Sequence, residues 1–172
     1  MGAFLMDRIT LGIDTSLRST GIGIIRAEGN AHTVLYYAPI RTSQSKPMSE
    51  ALAHLEIEIN RLLEEWQPTE AAIEGVFYAK NAKTAMILCH ARGVVVAACA
   101  KRNIPVYEYS PTEVKRAVTG VGSAEKAQVQ MMVARILSIK APLQNDAADA
   151  LAIALAHLHR VTSVLTLQPK TL

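Results

Sequence analysis

The stretch Arg8-Ile-Thr-Leu-Gly-Ile-Asp14-Thr-Ser-Leu-Arg-Ser-Thr20-Gly-Ile-Gly-Ile-Ile25 decides the fold. Residues 8–14 read as a buried strand that ends on an aspartate. Gly21–Ile25 continues as its hairpin partner across the polar turn Thr15–Thr20. His32–Ile40, with β-branched and tyrosine content, is the third strand. Beyond it the pattern changes. From Met48 the apolar positions 48, 52, 55, 59, 62 and 66 recur at alternating spacings of four and three, which predicts an amphipathic helix. Pro47 suits its first turn and Pro68 lies beyond its end. Thr69–Glu74 reads as a fourth strand, Lys80–Lys101 as a second long helix and Ile104–Tyr109 as a fifth strand. Pro111–Val118 begins a short helix, and Gly120-Val-Gly122 breaks the chain. Ser123 is read as the N-cap of a helix running to about Leu137, and Asn145 or Asp146 as the cap of the last helix. Three consecutive strands, then strands alternating with helices, imply an α/β fold: a mixed five-stranded sheet flanked by helices.

With 172 residues, half of them hydrophobic, the chain makes one domain, with a core over about residues 8–160 and a loosely held tail at 161–172. Aromatic residues are only 5%, so aliphatic side chains must fill that core. A net charge of +3 permits nucleic-acid binding without establishing it. Cys89 and Cys99 fall in one predicted helix, about 15 Å apart and too far for a disulfide. That fits a reducing, cytoplasmic compartment. The opening residues show neither a basic n-region nor a full apolar h-region, so no signal peptide is read. No strictly apolar run exceeds the length of Val94–Ala100, far short of the ~20 residues of a membrane span, so no membrane partner is expected. Gly93–Ala100 is nevertheless apolar on every side. Such a helix needs cover, by the core on one side and a second subunit on the other.

The chain holds only four aspartates. Asp14 closes the first strand, and Asp146 and Asp149 open the alanine-rich last helix at i and i+3, on one face. Glu74 closes the strand Ala71-Ala-Ile73. Singly each has a plain alternative: a turn former, a lone buried acid paired with an arginine, or a helix cap. Gathered together, hard oxygen ligands suit Mg²⁺ or Mn²⁺, and two such ions clamp an in-line phosphoryl displacement. Phe77 and Tyr78, followed by Lys80, Asn81 and Lys83, suit base stacking and phosphate contact, the alternative being a core Phe at a strand end. Lys126, at the third position of a helix capped by Ser123, opposes the macrodipole unless a phosphate is its neighbour; otherwise it is an exposed lysine at small cost. His157 and His159 are read as structural or surface residues.

These segments, in order, resemble the RuvC family of Holliday-junction resolvases, within the RNase H-like fold. The resemblance is carried by Leu11-Gly-Ile-Asp14, Thr20-Gly-Ile-Gly23, Ile40-Arg-Thr42, Ala72-Ile-Glu74, Val76-Phe77, Ala79-Lys-Asn81 and Ala91-Arg-Gly93. Glu108-Tyr109, Val114-Lys115, Val121–Lys126, Gln128-Val-Gln130 and Asp146–Ala154 complete it, over roughly residues 8–159. It departs at Thr15-Ser16, where the family usually has Pro-Gly, and at Gly75, where it usually has Gln. Neither deletes a ligand. The resemblance implies a magnesium-dependent endonuclease with two ions per site, Mn²⁺ substituting, held by Asp14, Glu74, Asp146 and Asp149. It implies Lys126 and Lys115 near the scissile phosphate and Phe77 stacking at the junction centre. Tyr78, Lys80, Asn81, Lys83 and Arg92 would add DNA contacts. It further implies a homodimer nicking opposite strands of a four-way junction in recombination and repair, alongside a branch-migration complex, RuvA and RuvB in the family. An actin-like ATPase would need about twice this length and further glycine loops. A junction binder without nuclease activity is disfavoured by the four acids. A nuclease of RNA–DNA hybrids is disfavoured by the Phe77 loop and the Val121–Lys126 stretch.

Overall fold

The computed structural model describes residues 7–75, 82–162 and 171–172. In chain order the elements are β1 (Arg8–Asp14), β2 (Ser19–Glu28), β3 (Ala31–Arg41), α1 (Met48–Trp66), β4 (Glu70–Glu74), α2 (Ala82–Ala100), β5 (Val106–Tyr109), α3 (Pro111–Thr119), α4 (Lys126–Ile136) and α5 (Asn145–Thr162). The strands form one sheet in the order β3-β2-β1-β4-β5. The hairpin strands pair antiparallel, while β1–β4 and β4–β5 pair parallel. This is the mixed sheet that the sequence predicts.

Strand alternation sorts the residues of β1 and β4 onto two faces. Leu11, Ile13, Ala71 and Ile73 pack with Leu55, Ile59 and Leu62 of α1 and with Val95 and Cys99 of α2. Each of the buried Leu, Ile and Val side chains among these contributes about 1.5–3 kcal/mol. The opposite face carries Thr10, Gly12 and Asp14 on β1 beside Glu70, Ala72 and Glu74 on β4, and α5 lies across it. Glycine is required there by close approach. A Cβ on Gly12 would stand 2.1 Å from the Ala150 carbonyl oxygen, and one on Gly21 would stand 1.9 Å from that of Asp146. The first turns of α5 therefore rest directly on the β1–β2 hairpin.

Several local expectations are corrected. Met48, counted in the stripe of α1, is 41% exposed because it opens the helix; Ala51 and Leu63 complete the buried stripe instead. Ser123 does not cap α4. The chain stays irregular through Ala124, which is buried, and Glu125 becomes the N-cap, its N–H donating to Gln128 Oε1 at 2.9 Å. Lys126 is thus the first helical residue rather than the third. Asn145 and Asp146 are already helical, since Ala148 N–H donates to the Gln144 carbonyl at 2.9 Å.

The apolar stretch of α2 is divided. Val95 and Ala98 are buried in the molecule's own core, whereas Gly93, Ala97 and Ala100 form the exposed stripe, continued by Met86 and Cys89. By length and composition α2 is one helix long and apolar enough to cross a membrane, which its strictly apolar run did not suggest. Of the expected tail 161–172, α5 takes in residues to Thr162, Thr171 bridges Tyr107, and Leu172 N–H donates to the Val106 carbonyl at 2.9 Å; residues 163–170 lie outside the described residues.

Candidate active site

Asp14 ends β1 and Glu74 ends β4, one residue past Ile13–Ile73, the last rung that pairs these parallel strands. Both side chains point to the α5 face. The first turn of α5 brings Asp146 over Gly21, and Asp149 follows on the same helix face. Four acids from three elements therefore meet at one end of the sheet.

Their charges act on one another. Burial, and then the charges of Asp149, Glu74 and Asp146, push the Asp14 carboxyl up to about 7, with Lys126 offsetting only part. Burial and the Asp149 charge also raise Glu74, against Lys126 and Lys115. Burial alone would lower Lys126, but its hydrogen bond to Asp149 and the charges of Asp149, Asp14 and Asp146 hold it above the ordinary lysine value.

Two of the acids have protein partners. Lys126 Nζ donates to Asp149 Oδ2 at 2.5 Å, and Ser19 Oγ donates to Asp146 Oδ2. Among the described residues no three candidate ligands stand close enough to form a ready-made metal cage. Mutual repulsion among carboxylates, met only in part by Lys126 and Lys115, is nevertheless the environment that a hard divalent cation relieves, so the donor set fits such an ion.

The turn between β1 and β2 explains how Thr15-Ser16 replaces Pro-Gly. Ser16 Oγ accepts from the Arg18 and Ser19 N–H groups, both at 3.3 Å, and Thr20 Oγ1 donates to the Ser16 carbonyl. Arg18 in turn ties the turn to the loop before α1, donating to the carbonyls of Ser43 at 2.7 Å and Lys46 at 2.9 Å. Hydroxyls thus do the turn-forming that a proline and a glycine would otherwise do. Ser19 was not anticipated; a serine in a polar turn carries no sequence signal for contact with an acid 127 residues away.

Beside the acids lies a cleft of about 230 Å³ lined by Glu74, Asp149, Lys115 and Lys126 over Pro111, Val114, Val129 and Ile153. Lys115 from α3 and Lys126 from α4 are brought together as expected. Arg92 is not a free phosphate contact. Its side chain is 13% exposed, Nη1 donates to the Glu74 carbonyl at 2.7 Å, and Nη2 pairs with Glu108. It braces the end of β4. Lys83 is exposed in the first turn of α2. Phe77, Tyr78, Lys80 and Asn81 lie outside the described residues.

Residues 10–157 match the family model for crossover junction endodeoxyribonuclease RuvC. The chain belongs to the RuvC family. Curated relatives carrying that name include one from Alkaliphilus metalliredigens, 43% identical over 88% of this chain and 93% of the relative. Another, from Shewanella loihica, is 43% identical over 94% of this chain and 93% of the relative. Among solved structures, Thermus thermophilus RuvC in complex with Holliday junction substrate superposes with a TM-score of 0.89 at 30% identity, covering 96% of this chain and 99% of that one. A yeast mitochondrial Holliday junction resolvase, at 14% identity and a TM-score of 0.65, shares the fold alone. The RNase H-like reading of the sheet is thereby established for this RuvC-family chain.

Proposed function

We propose that the chain is a metal-dependent endodeoxyribonuclease that resolves four-way DNA junctions, with Asp14, Glu74, Asp146 and Asp149 as its metal ligands. The observation that carries this reading is the convergence of four acids at one sheet end, beside two lysines. The ions are Mg²⁺, with Mn²⁺ able to substitute, two per site. When bound they polarise the scissile phosphate and lower the pKa of the attacking water.

The chain's own residues do the rest. The parallel β1–β4 pairing holds Asp14 and Glu74 at adjacent strand ends, and α5 sets Asp146 and Asp149 above them. Lys126 neutralises Asp149 in the free protein and has a phosphate as an alternative partner once DNA enters the cleft. There it stabilises charge that develops on the phosphate oxygens. Lys115 flanks the same phosphate, and Phe77, Tyr78, Lys80, Asn81 and Lys83 extend the DNA contact. RuvA and RuvB are the accompanying branch-migration partners, and the cytoplasm the compartment.

Nicking of a four-way junction with Mg²⁺ or Mn²⁺ tests the reading. Asp14→Asn, Glu74→Gln, Asp146→Asn and Asp149→Asn are each expected to abolish nicking while retaining junction binding. Near-normal nicking by the Asp14 or Glu74 variant would sink it. Lys126→Ala should slow single-turnover cleavage about a hundredfold with only a modest change in affinity.

A symmetric cut of a two-fold junction requires a two-fold dimer. The exposed stripe of α2, Met86, Cys89, Gly93, Ala97 and Ala100, supports an interface there. In sedimentation, Ala97→Glu should yield a folded monomer, whereas Val95→Glu should unfold the chain by burying a charge in its own core. A wild type that stays monomeric on junction DNA would reject the symmetric scheme.

A further inference from the structure

At the ends of β1 and β4 opposite the acids lies a second cluster that no step of the reaction uses, and Tyr107 and Tyr109 of β5, in register with Ala72 and Glu74, reach into it. Glu70, at the start of β4, is 7% exposed, and His157, on α5, is fully buried. Thr10 Oγ1 donates to Glu70 Oε1 at 2.8 Å, and His157 Nε2 stands 3.2 Å from Glu70 Oε2. The other ring nitrogen, Nδ1, shares a hydrogen bond with the Tyr109 hydroxyl at 2.7 Å, and the imidazole stacks on Tyr107 at 4.5 Å between ring centres. Burial would raise the Glu70 carboxyl, but His157, Thr10 and Arg8 outweigh it and hold it below its ordinary value. One turn on, Arg160 lies over the Tyr109 ring and donates to Glu113 Oε1 at 2.8 Å. The other oxygen of Glu113 accepts from the N–H of Ser110, the N-cap of α3.

The spacings at the two ends match. Thr10 to Asp14 and Glu70 to Glu74 are each four strand residues, about 13 Å. His157 to Asp149 is eight helix residues, about 12 Å. On β1 and β4 only Gly12 and Ala72 lie between the two ends, so over these two strands α5 rests on small residues, flanked by Ile25 of β2 and Tyr107 and Tyr109 of β5. Close packing sets its distance from the sheet. Small residues alone resist sliding along the helix axis poorly, whereas the buried His157 ring, hydrogen-bonded to the Tyr109 hydroxyl and 3.2 Å from the Glu70 carboxylate, resists it well.

We propose that Glu70 and His157, with Thr10 and Tyr109, are positioning residues for the active site: they fix the axial register of α5 on β1 and β4, and so the placement of Asp146 and Asp149 against Asp14 and Glu74. The same network reaches the cap of α3, which carries Lys115. The proposal rests on the reading of the four acids as metal ligands.

The test compares Glu70→Gln, Thr10→Val and Tyr109→Phe with Leu55→Ala, a core change under α1 on the other face. Mn²⁺ binding to the DNA-free protein is followed by calorimetry, single-turnover nicking at saturating junction by gel, and folding by thermal melts. Glu70→Gln should weaken Mn²⁺ binding and slow nicking about tenfold or more, with junction affinity unchanged. Thr10→Val and Tyr109→Phe should act in the same direction by about threefold. Leu55→Ala should lower the melting temperature while leaving both readouts at wild-type values. If Glu70→Gln fails to fold, the two milder variants decide. Folded variants with wild-type Mn²⁺ binding and nicking would overturn the proposal. Asp14→Asn separates the two ideas: undiminished Mn²⁺ binding by that variant would overturn the metal-site reading itself, not only the role of Glu70 and His157.

Discussion

The two faces of the central sheet solve different problems with the same strands. The face under α1 and α2 is packed with Leu11, Ile13, Ile22, Ile24 and Ile73, all fully buried. The face under α5 has Gly12, Gly21, Gly23 and Ala72 at its centre and acids at the rim. The first is an ordinary aliphatic core, tolerant of changes that conserve volume. The second trades side-chain volume for proximity, because small residues let α5 carry two carboxylates down to strand ends that hold two more. The aliphatic face supplies stability, and the α5 face spends part of it on gathered charge.

That contrast breaks most sharply at Gly12. In Gly12→Val the new Cβ would stand 2.1 Å from the Ala150 carbonyl, a backbone atom with no free rotation to escape by. We expect about 3 kcal/mol or more of destabilisation by chemical denaturation, from overpacking, together with loss of nicking. A stable, active Gly12→Val protein would mean that α5 is not held as closely as described.

A subtler break separates stability from function at Asp14. Its carboxyl lies at about 7 in the fold against an ordinary 3.8. Between those values the folded protein holds a proton that the unfolded chain has released. The metal-free fold therefore loses stability as pH rises through that window, and the loss is complete above it. Asp14→Asn should abolish nicking yet stabilise the metal-free protein at pH 8 by about 2 kcal/mol, roughly half of what an unscreened shift of this size would yield. Divalent metal should raise the melting temperature of the wild type and not of this variant. Urea melts of both proteins at pH 5 and pH 8 check the sign, and an unchanged wild-type stability across that range would contradict it.

The smallest effect sharpens the other side. Ile59→Val on α1, at a fully buried position of the aliphatic core, should cost about 1 kcal/mol and leave the nicking rate at wild-type level. A large loss of activity there would mean that the two faces are coupled through the sheet.

Much of this was legible in the chain. The apolar runs at 8–14 and 21–25 read as strands buried on both faces, as they are, and the four-three spacing from Met48 reads as a helix because burial of one face imposes that period. Asp14 and Glu74 stood out because carboxylates rarely terminate apolar strands without a use, and Asp149 because it sits among alanines with no basic residue one turn away. A local signal misled at Ser123, a residue type that favours N-caps: the chain stays irregular through the buried Ala124, and Glu125 takes the N-cap place instead. Arg92 read as a DNA contact because sequence does not show which way a helical arginine turns; the carbonyl of Glu74 and the carboxylate of Glu108 turned it inward.

What the sequence determined by itself is whatever depends on neighbours along the chain: the strands, the helices, the identities of the four acids and the break before α4. What only the tertiary structure decided depends on partners far apart in sequence. Lys126 with Asp149, Ser19 with Asp146, and Glu70 with His157 are separated by 23, 127 and 87 residues. The physical reason is that a charge or a hydroxyl is satisfied by whichever group packing brings within about 3 Å, and packing is settled by both faces of the sheet together.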